Sequence, residues 1–92
     1  SFETAAYDLI VGKKAGGLWH IFLDLLREKD NVKALKVAMM IPQENDLKNW
    51  ALYISARDFI TAGNTNEALK IIEMIPEKDP LREEALTKLR EL

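Results

Sequence analysis

Residues 34–86 read ALKVAMMIPQENDLKNWALYISARDFITAGNTNEALKIIEMIPEKDPLREEAL, and the dipeptide Ala-Leu recurs in them at one constant step, as Ala34-Leu35, Ala51-Leu52, Ala68-Leu69 and Ala85-Leu86. At twice that step Met40-Ile41-Pro42 returns as Met74-Ile75-Pro76, while Asp24 falls on Asp58, Leu26 on Ile60 and Asp30 on Asn64. One helix and its turn fill the single step, and a helical hairpin fills the double one. A hairpin of this size cannot bury its apolar face alone, so a chain written this way stacks its hairpins. The stretch predicts an all-α protein.

Outward from it, composition limits what the protein can do. The 92 residues fit one domain, near the low end of sizes that fold without staples, where roughly two-thirds of the unfolded chain's surface can be buried. There is no Cys, which excludes disulfides, zinc–thiolate sites and thiol catalysis and permits a reducing compartment; a cytoplasmic protein is expected. The single His excludes a multi-His metal site. A net charge of −2 and a sequence pI near 5.4 argue against generic nucleic-acid binding and against a polybasic membrane surface, both of which need a cationic field. The longest apolar runs, Val37 to Ile41 among them, fall far short of the ~20 residues that span a bilayer. The chain starts at Ser1 without an initiator Met, and the expectation is a processed chain or part of a longer one. Abundant Ile, Lys and Glu without Cys tilt the composition toward a thermophilic source.

Taken in order, Phe2, Ala5, Ala6, Leu9 and Ile10 follow helical spacing and predict a first helix from Phe2 to Val11, with Ser1 as its cap. That helix is out of register with the Ala-Leu step and reads as an adapter covering one end of the stack. Gly12-Lys13-Lys14-Ala15-Gly16-Gly17 reads as a loop, since the order of a P-loop and its preceding strand are absent. Leu18 to Lys29 predicts a second helix, apolar on several sides. Val32 to Ile41 predicts a third, capped by Asp30 or Asn31 and stopped by Pro42; with Lys33 and Lys36 as its only charges it belongs in the interior. Leu47 to Ala62 predicts a fourth, capped by Asn45 or Asp46, whose Ala51, Ser55 and Ala56 admit a close neighbour. Gly63 ends it in the left-handed conformation, and Asn64 with Glu67 resembles a capping box for a fifth helix, Thr65 to Ile75. Asp79-Pro80 starts a sixth, Pro80 to Leu92, with Leu81, Ala85, Leu86, Leu89 and Leu92 inward and Arg82, Glu83, Glu84, Lys88, Arg90 and Glu91 outward. Glu84 and Lys88 stand four apart in the favourable order for an ion pair.

Residues 49–82 resemble one tetratricopeptide repeat. Leu52, Ala56 and Phe59 match the large, small and aromatic positions of its first helix, Gly63-Asn64 its inter-helix turn, Glu67-Ala68 its second helix and Pro80 its terminal proline. Residues 15–48 resemble a second copy that keeps Leu18, Ile21, Leu25, Asp30 and Ala34, and residues 83–92 resemble the first helix of a third, which would cap the stack. Four departures stand out: Phe22 at the small position, Ser55 at a large one, Lys29 where the next copy has Gly63, and early stops at Pro42 and Pro76. The resemblance covers about four-fifths of the chain, leaving residues 1–14 as the adapter helix and loop. It implies a short right-handed α-solenoid of about six antiparallel helices forming a single domain over residues 1–92.

Catalysis needs clustered titratable groups, and the sequence offers few. His20 has only Asp24 one turn away and reads as a structural residue. Glu77, Asp79, Glu83 and Glu84 lack the alternation and Gly of a calcium loop. No catalytic residue, metal or cofactor is expected. The resemblance implies instead a concave groove lined by the first helix of each hairpin: Gly16, Trp19, Leu23, Leu26 and Arg27 in one copy, Trp50, Tyr53, Arg57, Ile60 and Thr61 in the next. Trp, Tyr and Arg there have the composition of a binding hot spot, with Arg suited to a carboxylate. Two readings stand for Trp19, Leu23 and Leu26, groove or core beneath the adapter helix, whereas Trp50 and Arg57 are expected to be open. Met39 and Met40 read as core fillers. The expected function is a non-catalytic module or scaffold that binds a peptide or partner helix. The alternatives are a self-assembling homodimer through the first helix, and RNA binding by stacking on Trp19, Trp50 and Tyr53, against which the acidic balance counts.

Overall fold

The computed structural model describes residues 15–92, and among these residues the secondary structure is entirely helical. The helices are α1 (Ala15–Arg27), α2 (Asn31–Met40), α3 (Asp46–Thr61), α4 (Thr65–Glu73) and α5 (Pro80–Arg90). The expected adapter helix, Phe2 to Val11, lies outside the described residues, as does Gly12-Lys13-Lys14 of the expected loop. The remainder of that loop is corrected: Ala15, Gly16 and Gly17 form the first turn of α1.

Local chemistry sets the ends. Asp30 caps α2, its carboxylate accepting from the Lys33 amide at 3.1 Å, and Asn45 caps α3 by accepting from the Leu47 amide at 2.9 Å. Asp79 accepts from the Leu81 amide at 3.0 Å, with Pro80 in the first turn of α5 where its missing N–H costs nothing. The capping box expected at Asn64 is absent, because the Asn64 side chain makes no cap bond. Two of the helix C-termini close through left-handed residues, Gly63 at φ 84° after α3 and Lys29 at φ 61° after α1.

The backbone hydrogen bonds of the turns correspond from one hairpin to the next. Lys29 N donates to Leu26 O and Asp30 N to Leu25 O; at the matching places Gly63 N donates to Ile60 O and Asn64 N to Phe59 O. The Asn45 N–Pro42 O bond returns as Asp79 N–Pro76 O, and Lys48 N–Asn45 O as Arg82 N–Asp79 O. Burial follows the same offset. Leu18 and Leu52, Leu25 and Phe59, Ala34 and Ala68, Val37 and Ile71, and Ile41 and Ile75 are buried pairwise.

Among the described helices, each packs on the next, and α1 and α5 both pack on α3. The helices α2 and α4 do not touch each other, and α1 touches neither α4 nor α5. Helix α3 is thus the hub, in contact with all the others, and its Ala51, Ser55 and Ala56 are buried where those helices approach. The Cα extents are 39 × 28 × 16 Å. The short dimension is that of two helix layers, about 10 Å between axes plus a ~2.3 Å Cα radius on each side.

Several side chains sit otherwise than expected. Helix α2 is not interior on all sides: Val32 is 59% and Met39 49% exposed, so Met39 is no core filler, while Met40 packs half-buried on the core. Leu92, expected inward, is 73% exposed beyond the end of α5. Arg82, expected outward, is half-buried and its Nη1 donates to the Ile75 carbonyl at 3.0 Å, closing the turn before α5. Among the described residues Glu84 and Lys88 form no ion pair; Glu83 instead accepts from Arg90 at 3.3 Å.

Candidate interaction surface

Helix α3 carries a row of side chains one turn apart, Trp50, Tyr53, Arg57 and Thr61. A 16-residue helix broken by no Gly or Pro holds them in register. The Trp50 and Tyr53 rings meet edge to face, 6.1 Å between centroids at 89°. The Arg57 guanidinium carbon lies 5.9 Å from the centroid of the Tyr53 ring, within cation–π range. Thr61 Oγ1 donates to the Arg57 carbonyl at 3.0 Å. These four expected groove residues are brought together, and they divide into two kinds. Trp50 is 49% exposed and Arg57 and Thr61 are open, whereas Tyr53 is only 6% exposed. Tyr53 is therefore the support of the row, fixing the indole on one side and the guanidinium on the other.

The corresponding residues of α1 are less open. Trp19 and Leu23 are half-buried and pack on the core, with the Trp19 ring 5.5 Å from Phe22. Arg27 is exposed and engaged by Asp24 at 2.7 Å, a solvent-facing pair of small energetic weight. Gly16 is exposed, Leu26 half-buried and Ile60 buried. Leu26 and Thr61, with Asp58, line a small hollow of about 330 Å³ between the C-terminal ends of α1 and α3.

A larger hollow, open to solvent and about 690 Å³ in volume, lies where the N-terminal ends of α3 and α5 meet. Trp50 forms one wall and Pro76, Pro80 and Leu81 supply further apolar surface, with Asp46 and Glu84 among the charged residues around it. Asn49 fixes the two helix ends relative to each other, its Nδ2 donating to Asp79 Oδ2 at 2.8 Å. Asn49 Oδ1 is buried without a partner, as is Ser55 Oγ in the core of α3. This hollow was missed by the sequence reading. Its only trace there was the spacing of Trp50 and Glu84, which stand one hairpin apart and so at equivalent positions on neighbouring helices.

The described residues hold no group of three or more His, Asp or Glu that could bind a metal ion, and no described helix is long and apolar enough to cross a membrane. His20 is exposed, and the Asp24 carboxylate beside it is taken by Arg27. Comparison with models of known protein families, with curated proteins and with solved structures returned no match to this chain.

Proposed function

We propose that the chain is a non-catalytic protein-interaction module: a short right-handed α-solenoid of tetratricopeptide-like hairpins that holds a peptide or partner helix along α1, α3 and α5. The observation that carries this reading is the row on α3, where an exposed Trp50 and an exposed Arg57 are both braced against a buried Tyr53. A large rigid indole and a planar cation held at fixed spacing lose little entropy when a ligand arrives, so more of the contact energy survives as affinity. The recurrence of turn hydrogen bonds from one hairpin to the next supports the hairpin reading. The packing order supports the choice of face: α1, α3 and α5 touch in succession while α2 and α4 stand apart, as they would if the first set lined the inner side of a curve.

The test is a double variant, Trp50→Ala with Arg57→Ala. Both side chains are at the surface, so helix content by circular dichroism should be unchanged. A partner purified on the unaltered chain should be lost from the variant, each truncation weakening binding by about 2 kcal/mol or more if these are hot spots. Lys70→Ala, on the outer side of α4, should retain the partner. Undiminished binding of that partner by the double variant would refute the groove.

A further inference from the structure

The hollow between the N-terminal ends of α3 and α5 has a sign. Asp46, Asp79 and Glu84 set three carboxylates around it against the one ammonium of Lys78, a formal −2. The two helix N-termini that border it contribute about +0.5 each, Arg82 is held beside it at the Ile75 carbonyl, and Asp79 is spent on the Leu81 amide and Asn49, so what the hollow offers a ligand is the two exposed carboxylates of Asp46 and Glu84. Those two carboxylates accept a cationic group and repel an anionic one. The next stretch of α5 continues the same lining, with Glu84 and Glu91 around a second shallow depression that holds Lys88. The opposing positive charge on the α3 row, Arg57, stands two turns of helix from Trp50. At ~5.4 Å per turn that is about 10 Å, a Debye length or more at physiological salt, so Arg57 does not neutralise Asp46 and Glu84.

Charge alone would fit any cation. The walls narrow the choice. Trp50 presents about half its surface, and Pro80 and Leu81 face the same space, so the occupant carries apolar surface beside its charge. We infer that this hollow receives an Arg or Lys side chain, with an apolar neighbour, from a peptide segment of the protein partner. The cation lies over the Trp50 indole and reaches Glu84 and Asp46, while the neighbouring side chain packs on Pro80 and Leu81. This assignment rests on the interaction reading above and adds the chemistry of the partner to it.

The chain contains only two Trp residues, so a ¹⁵N-labelled sample of the full chain gives two indole signals, which Trp50→Phe assigns. The probes are a blocked pentapeptide alternating Leu with Arg, its counterpart alternating Leu with Glu, and spermidine. The Arg peptide should shift the Trp50 indole saturably and leave Trp19 in place. Its affinity should fall at least fivefold in the double variant Glu84→Gln with Asp46→Asn, whose two positions are exposed, and should fall as salt is raised. The Glu peptide should leave Trp50 unmoved. The inference is overturned if the Glu peptide or spermidine binds as well as the Arg peptide, or if the neutralised variant binds the Arg peptide unchanged. It is also overturned if light scattering shows that the chain dimerises through Trp50, which would make a second copy the occupant. Should the Arg peptide fail while a purified partner still depends on Trp50 and Arg57, the basic-peptide assignment is wrong and the groove stands. Should that partner be indifferent to both residues, the groove itself is wrong.

Discussion

Lys29 and Gly63 occupy equivalent turns with the same pair of backbone bonds, yet one is a lysine held at φ 61° and the other a glycine at φ 84°. A side chain in the left-handed region costs about 1–2 kcal/mol, and glycine's extra freedom in the unfolded chain offsets about 0.4–1 kcal/mol of that. Lys29→Gly is therefore expected to stabilise the protein by about 0.5–1 kcal/mol, and Gly63→Ala to destabilise it by a similar amount. The second effect is purely conformational, because a methyl group at Gly63 would meet no atom within 4 Å. Urea denaturation of both variants checks this. A destabilised Lys29→Gly would mean that the lysine side chain holds the turn through contacts that outweigh its backbone strain.

Helix α5 depends on one residue more than the others do. Asp79 caps it through Oδ1 and, through Oδ2, accepts from Asn49 on α3. Asn45 only caps α3. Loss of a cap costs about 1 kcal/mol, and loss of Asp79 also strands the Asn49 amide, which is worth a further ~1 kcal/mol. Asp79→Ala should therefore destabilise by about 2 kcal/mol and Asn45→Ala by about 1 kcal/mol, measured by thermal or chemical denaturation. Equal losses would show that the link between α3 and α5 does not contribute. Element boundaries of this kind were legible in the sequence because their causes lie within a turn of the boundary itself: Pro80 after Asp79, Gly63 after α3, and Asn45 before it. The box expected at Asn64 did not form. The Asn64 amide is bound into the preceding turn, donating to Phe59 O, and its side chain makes no cap bond.

At the scale of the whole molecule, packing runs from neighbour to neighbour. Among the described helices no contact joins α1 to α5, and α5 covers the sides of α3 and α4 on which it packs. Ending the chain at Lys78 removes α5 and uncovers the sides of α3 and α4 on which it packs. The expected result is a lower denaturation midpoint and binding of a hydrophobic dye at room temperature, with much of the helical signal retained. An unchanged midpoint would show that α5 is not coupled to the other helices. Helix α5 is also one wall of the charged hollow, so truncation should remove Arg-peptide binding as well.

The all-helical character and most helix ends followed from the chain itself, since spacing, caps and breakers act over one or two turns. Which side chains face water did not. Tyr53 and Trp50 lie one turn apart on the same helix face, yet Tyr53 is enclosed and Trp50 is half open. Met39 sits on a nearly all-apolar helix and still meets solvent. Exposure of a position on a helix depends on how far the neighbouring helices reach across it, and that reach is set by contacts between side chains distant in sequence, such as Asn49 with Asp79. The charged hollow arises in the same way: the chain supplied Trp50 and Glu84, and only the packing of α5 on α3 put them around one space.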